Sequence, residues 1–424
     1  MKRISLKKTL KCISFICLVV IACEIIFLIY QKYKIESNTI YYDITNDVVL
    51  MNDGYLEFGS SDFKYSKKHD YTNGYEHAKI VKYNNNKEII YEIKYDNAKV
   101  STFYSGISVS DGIIAIGSAA FNDEQIESDL KDALIVKYDN EGNLLWEETY
   151  QVLGDTKFLK VIELNDEYYV IGQSILPPME LGFNNNGGGI ITRYSKDGNL
   201  IGNSSFGGGK SGVFSDIAVV NDQIYVVGKD ATRTGLMVKY NLNLERQWIK
   251  NYNYTDEIGF SAIATDNNYL YVAGSTKVVE DLNDYDTDAL LLAYDLDGNI
   301  KWAITYKGNG MERFNDIILN ENHLVLAGHS SVYDEEESTE ALNVFRYHGI
   351  FAIYDTSGNE VKVNEFGGSR DDYITGLVKE NDNYLVFGYS NSKDKDFKNV
   401  KANGKDYFSR MIEFNLKGKL KKVW

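Results

Sequence analysis

The chain has 424 residues, 44% of them hydrophobic and 25% charged, with only two prolines, a balance that excludes a disordered or collagen-like polymer. Residues 1–34 hold seven Lys or Arg and one acid, which leaves 38 bases against 60 acids in the remainder, a net charge of −22. So acidic a domain excludes nonspecific nucleic-acid binding, which needs clustered bases along the phosphate backbone.

Residues 1–11, MKRISLKKTLK, form a basic leader, and Cys12 to Tyr30 is a nearly unbroken apolar run of 19 residues. That length crosses a bilayer as a helix. The positive-inside rule places Lys2, Arg3, Lys7, Lys8 and Lys11 in the cytoplasm and everything after Tyr30 outside. The expected organisation is a cytoplasmic leader at 1–11, a transmembrane helix or signal anchor at 12–30, a stalk at 31–44 and an exported domain at 45–424. Val20-Ile21-Ala22-Cys23 also resembles a lipobox, so a lipoprotein anchored at Cys23 is the alternative, with the domain on the same side of the membrane. All three cysteines, Cys12, Cys17 and Cys23, lie in the apolar run. The exported domain therefore has no disulfide, thiol nucleophile or thiolate metal site.

From residue 45 the chain repeats. A glycine that closes one strand recurs at Gly59, Gly117, Gly172, Gly228, Gly274, Gly328 and Gly388, and an aromatic that closes the next at Tyr83, Tyr138, Tyr194, Tyr240, Tyr294, Tyr354 and Phe414. Seven copies at intervals of 46 to 60 residues, each with four short runs of period-2 alternation and β-branched or aromatic residues, predict four strands per copy, A to D. One four-stranded sheet cannot cover both its faces, whereas seven packed face to face around an axis can. The predicted fold class is all-β: a seven-bladed β-propeller of four-stranded blades, preceded by one N-terminal transmembrane helix. Phe103, Phe158, Phe214, Phe260 and Phe314 stand 14 positions before the strand-B glycine, and Tyr91, Trp146, Trp248 and Trp302 stand eight after the strand-C aromatic, where Gly202, Lys362 and Lys422 break the pattern. Recurrence from blade to blade assigns these rings to packing between blades. Tyr41 and Tyr42 in the stalk are expected to add an outer strand beside the last blade, whose own strand at Leu420 to Trp424 is cut short.

The Gly-Gly-Ser-x-Asp-Asp junction in FGGSRDDYITGLVKENDNYLVFGYS (366–390), the Tyr-x-Val-x-Gly-x-Ser strand, and the Asp-Ala strand before Tyr-Asp-x-x-Gly-Asn in DTDALLLAYDLDGNIKWAITYKGNG (286–310) resemble the bacterial β-propeller repeats labelled SBBP. The likeness covers roughly residues 45–424. It implies a propeller and an exported location, and carries no catalytic residue. Copy three departs from it with Gly187 to Gly189 in place of Asp-Ala, and copy four with a turn, Asn-Leu-Asn-Leu-Glu, that lacks its glycine.

With strand A leading each blade, the B–C and D–A connections share one face of the ring, and the insertions fall almost wholly between B and C. Variable loops on one face of a rigid scaffold are the usual seat of binding. Copies two, five and six contribute acids there, while neighbouring copies seven and one contribute Lys393, Lys395, Lys398, Lys401 and Lys405 with Lys64, Lys67 and Lys68, a basic sector expected to meet an anionic partner. Asp281, Asp284, Asp286 and Asp288 offer the closely spaced oxygens calcium prefers, although a solvated acidic loop has the same composition. Asp295-Leu-Asp297-Gly298-Asn299 resembles a calcium loop, but its equivalents in other copies make it the C–D turn. The five histidines show no metal-ligand spacing, and no nucleophile-elbow signature occurs. The expected function is noncatalytic binding or scaffolding of a surface protein or glycan. The alternatives are a propeller glycoside hydrolase or lyase acting on extracellular carbohydrate, and an accessory subunit that uses Glu24 and the apolar helix in a membrane complex.

Overall fold

A computed structural model describes residues 39–66, 76–152, 154–175, 188–206, 212–230, 233–252, 257–277, 287–308, 310–333, 345–400 and 407–424. They form seven four-stranded antiparallel sheets, each in the order A-B-C-D and each from one continuous stretch of chain. Blade 1 runs Thr39–Met51, Gly54–Ser66, His77–Asn84 and Ile89–Lys94, and blade 7 runs Asp372–Glu380, Asn383–Ser390, Phe408–Asn415 and Leu420–Val423. Strand A of each blade touches strand A of the next, and that of blade 7 touches that of blade 1, so the A strands line the axis and the D strands form the rim. The expectation for Tyr41 and Tyr42 is overturned: they lie in the innermost strand of blade 1, opposite Lys64 and Phe63. Among the described residues no strand is exchanged between the first blade and the last. A complete sheet was already available from residues 39–94, because the alternation begins before residue 45.

The turns follow local chemistry. At the A–B hairpins Asn165 and Asp166, and likewise Asn221 and Asp222, take positive φ at both central positions, the two-residue turn whose twist matches antiparallel strands. At the C–D turns Asp295 Oδ1 accepts the N–H groups of Asp297 and Asn299, and Gly298 sits at φ +77°. Asp295-Leu-Asp297-Gly298-Asn299 is thus a turn.

The packing between blades explains the repeat residue by residue. Phe103, Phe158, Phe214, Phe260 and Phe314 are all fully buried. Phe214 of blade 4 lies on Gly189 of blade 3, where a β-carbon would come within 2.7 Å of the ring. Ala78, Ala133 and Ala289 hold the equivalent strand-C position, so the glycines of copy three are a smaller version of the same requirement. The rim rings reach forward: Trp146 covers Gly198, Trp248 covers Gly298 and Trp302 covers Gly358, each the turn glycine of the next blade. Burying each ring stabilises by roughly 1.5–3 kcal/mol. The missing turn glycine of copy four and the missing rim tryptophan of copy three fall on the same blade contact. Blade 4 places Leu244 at that turn position, with φ 62° and the side chain 6% exposed, and blade 3 has Gly202 where its tryptophan would stand.

The closing junction between blades 7 and 1 is different. Leu134, Ile190, Leu236, Leu290 and Ile350 are buried beside the strand-B glycine in blades 2 to 6, but blade 1 has Lys79 there, opposite Gly59. The Lys79 ammonium binds Asp43 and lies 3.3 Å from Glu57 Oε1. Glu57 also accepts hydrogen bonds from Thr45 at 2.8 Å, Tyr83 at 2.8 Å and Ser409 of blade 7 at 2.9 Å. Burial alone would raise the Glu57 carboxyl, but Lys79 and these donors hold it below the ordinary range. Around this network, Val48, Tyr55, Leu385, Phe387 and Met411 supply a small apolar cluster, and Lys87 of blade 1 pairs with Glu380 at 3.0 Å.

Candidate functional site

Strands B end and strands C begin on the face that carries the long loops, and strand A of blade 1 enters the ring there at Thr39. Of the basic sector, Lys393, Lys395 and Lys398 are exposed on the B–C loop of blade 7. That loop is built on the D–A connection beside it. Asp394 Oδ1 accepts the Ser369 N–H at 2.8 Å, Asp396 Oδ2 the Gly367 N–H at 3.0 Å, and Ser392 Oγ the Arg370 N–H at 3.1 Å. The loop acids are thereby committed to backbone donors, while the lysines face solvent. Lys64 belongs to strand B of blade 1, paired with Tyr41. Lys67, Lys68, Lys401 and Lys405 lie outside the described residues, as do Asp281, Asp284 and Asp286. Asp288 is buried in strand C of blade 5, opposite Thr276. Among the described residues no group of three His, Cys, Asp or Glu side chains is arranged to hold a metal.

Two arrangements were not legible as sites in the sequence. The first lies along the axis. A bulge follows the anchor residue of strand A in every blade, as between Phe214 and Asp216 or Phe314 and Asp316, and a bulge re-aims the next side chain. Asp216 accepts the N–H of Ile217 at 2.8 Å and that of Ile263 in blade 5 at 2.9 Å. Asp316 likewise accepts Ile317 at 2.8 Å and Leu377 in blade 7 at 2.9 Å. Asp47 accepts the Ser105 hydroxyl of blade 2 and lies 3.0 Å from the Lys160 ammonium of blade 3. Burial pushes the Asp216 carboxyl up and that of Asp316 to about 6, with Lys160 opposing both. Burial disfavours the charge on Lys160 too, yet Asp47, Asp216 and Asp316 more than offset it and hold the ammonium above its ordinary pKa. These groups tie neighbouring blades together through backbone donors, and Lys160 joins blade 3 to blade 1 across the axis.

The second lies at the mouth on the loop face, across blades 6 and 7. Tyr347 and Tyr373 have ring centroids 4.5 Å apart, Tyr373 stacks on Tyr389 at 4.9 Å, and Tyr407 meets Tyr389 at 6.2 Å. His329 closes the row edge-on to Tyr347 at 5.4 Å. All five side chains are half-buried. Burial, with the Arg313 guanidinium nearby, pushes the His329 imidazole down to about 4, so it is neutral at pH 7. Beside the row, Asp371 is 8% exposed. Its Oδ2 accepts the Tyr407 hydroxyl at 3.0 Å and lies 3.7 Å from Arg346 Nη1, while Oδ1 has no hydrogen-bond partner among the described residues. A buried acceptor left unsatisfied costs about 1–3 kcal/mol.

The repeat supplies an internal control for this cluster. The position after the strand-B glycine is His329 in blade 6 and Tyr389 in blade 7, but Ser60, Ser118, Gln173, Lys229 and Ser275 in the others. Its strand-A partner is Tyr373 in blade 7 and Thr102, Lys157, Val213 or Gly259 in blades 2 to 5. Five blades fold without an aromatic at this pair of positions, so the fold does not require one there. The signal was present as a column of non-repeating residues, whereas reading for recurrence selects the residues that pack.

No protein-family model matches the sequence, and no curated protein matches it. Solved structures match at the level of fold. Sqt1 from Chaetomium thermophilum superposes with a TM-score of 0.50 at 10% identity over 91% of this chain and 87% of that one. The Pan2 WD40 domain of Neurospora crassa gives 0.49 at 7% identity over 81% of this chain and 85% of its own length. The β-propeller domain of the Trilobed protease from Pyrococcus furiosus gives 0.44 at 10% identity over 90% and 97%. The seven four-stranded sheets and the Sqt1 superposition make the class that of the β-propellers, and identities this low carry the fold alone.

Proposed function

We propose that this chain is a noncatalytic recognition module of a bacterial cell surface, related to the SBBP-type propellers, that holds a protein or glycan partner on its loop face. The observation that carries the reading is the concentration of long B–C loops, exposed lysines and a non-repeating aromatic cluster on one face of an otherwise regular ring. The apolar run at 12–30 is the membrane anchor in this reading. Thr39 stands nine positions after Tyr30, a reach of at most roughly 30 Å, and Thr39 enters on the loop face. The recognising face is therefore tethered near the membrane, and the partner is one that lies at the bilayer or in the layer next to it. Lys393, Lys395 and Lys398 suit an anionic component there, since opposed charge speeds encounter and fixes register.

The test is affinity capture from envelope extract with the full-length protein in detergent, beside a variant whose B–C loops of blades 6 and 7 are shortened to the length of the loop in blade 4. A partner retained by the intact face alone supports the reading. Equal retention by both proteins refutes it. Charge reversal at Lys393, Lys395 and Lys398 should weaken capture and flatten its salt dependence.

A further inference from the structure

We infer that the tyrosine mouth of blades 6 and 7 is a carbohydrate-binding site, which takes a neutral hexose unit of a surface polysaccharide. The inference rests on the recognition reading above and names the ligand chemistry of the same face.

A sugar ring presents a C–H face and an equatorial fringe of hydroxyls. It is held by stacking that C–H face on aromatic rings and by pairing the hydroxyls with charged planar groups able to take or give two hydrogen bonds. The mouth carries both. Tyr373 and Tyr389 lie nearly parallel, 26° apart, and Tyr347 and Tyr407 extend the row across the two blades. Tyrosine suits this place because its ring offers an apolar body and its hydroxyl a polar tip. Asp371 stands beside the row with Oδ1 unpartnered among the described residues, an acceptor for a hydroxyl donor, and the Arg346 guanidinium lies 3.7 Å from the other oxygen. His329, neutral at pH 7, adds no charge against an uncharged ligand. The carboxylate and the absence of these aromatics from five other blades separate the site from a packing cluster. A proline-rich peptide would also stack on tyrosines, but it has few hydrogen-bond donors to satisfy a buried carboxylate oxygen.

The experiment is isothermal titration of the full-length protein in detergent with cellohexaose, mannohexaose and a decaproline peptide. At least one hexasaccharide should bind. Tyr389→Ala should weaken it about tenfold, the loss of one aromatic stacking contact, and Tyr373→Ala should weaken it too, because that ring lies between Tyr347 and Tyr389 and holds the row in place. Tyr389→Phe should stay within about threefold, and Asp371→Asn should weaken binding while the unfolding midpoint holds. No heat with any hexasaccharide, affinity indifferent to Tyr389→Ala in a folded variant, or decaproline binding that depends on Tyr373 would each overturn the inference. If envelope capture depends on the loops while no hexasaccharide binds, the sugar assignment falls and the recognition reading stands.

Discussion

Lys79→Met is expected to destabilise the ring by about 3–5 kcal/mol, the loss seen when one partner of a buried ion pair is removed. The magnitude follows from the surroundings: the Lys79 and Glu57 side chains are 4% and 7% exposed, and Asp43 also lies against the ammonium. Without the cation, two carboxylates share a junction that water scarcely reaches. Adding Glu57→Leu removes one of them and restores the apolar character of the corresponding positions, Ala115, Val170, Val226, Val272, Leu326 and Val386. The double variant should therefore recover most of the loss. A double-mutant cycle in urea, with the change in midpoint read at constant slope, should give a coupling of roughly 2–3 kcal/mol. The pH dependence provides a second reading. Because the folded-state Glu57 carboxyl is depressed, its contribution is fully present above the unfolded carboxylate range near pH 4.5 and fades as pH falls through the folded value. Glu57→Leu should lose that acid-side slope. Additive single effects, or a Lys79→Met variant as stable as the parent, would refute the view that a buried charge network closes the ring.

Leu244→Gly should cost about 1–3 kcal/mol, since relief of the positive φ only partly offsets the lost burial, and adding Gly202→Trp should recover part of it by restoring the ring-on-glycine contact of the other blades; thermal unfolding of the single and double variants decides. Lys160→Met should leave Asp216 and Asp316 higher still, because its ammonium opposes their upward shifts. Those carboxyls then ionise without a cation, so the stability deficit of the variant should widen as pH rises from 5 to 8; a deficit constant with pH would remove Lys160 from the axial network. Ser409→Ala deletes one hydrogen bond to a buried carboxylate across the junction and should lower stability by about 1–2 kcal/mol in the same urea assay.

The fold was legible because propeller packing recurs. The Phe anchor, the small residue beneath it, the rim ring and the turn glycine each answer to one contact made again in neighbouring blades, so periodicity alone exposed them. The functional face was legible only in outline, as loop length and lysine content. Its tyrosines come from four separate strands or loops: Tyr347 and Tyr407 precede strand-C cores, while Tyr373 and Tyr389 are a cross-strand pair. No spacing along the chain unites them. The axial carboxylates were hidden for a related reason. The strand-A bulge changes the direction of one side chain without changing the hydrophobic alternation around it, so Asp216 and Asp316 read as ordinary polar positions. Ring closure is not legible in the sequence, because the shortened final strand suggests a missing partner while blade 1 is complete in itself.

The charged junction between the first and last blades also bears on how the ring is made. During synthesis blade 1 leaves the ribosome long before blade 7, and about 300 residues must follow before Ser409 arrives. At ordinary elongation rates the first blade waits on the order of 15–60 s with its closing face bare. A face of leucine and isoleucine would invite another nascent chain during that interval. Lys79, Glu57 and Asp43 are at home in water until the last blade covers them, so the junction that is costliest to bury is also the one safest to leave unfinished.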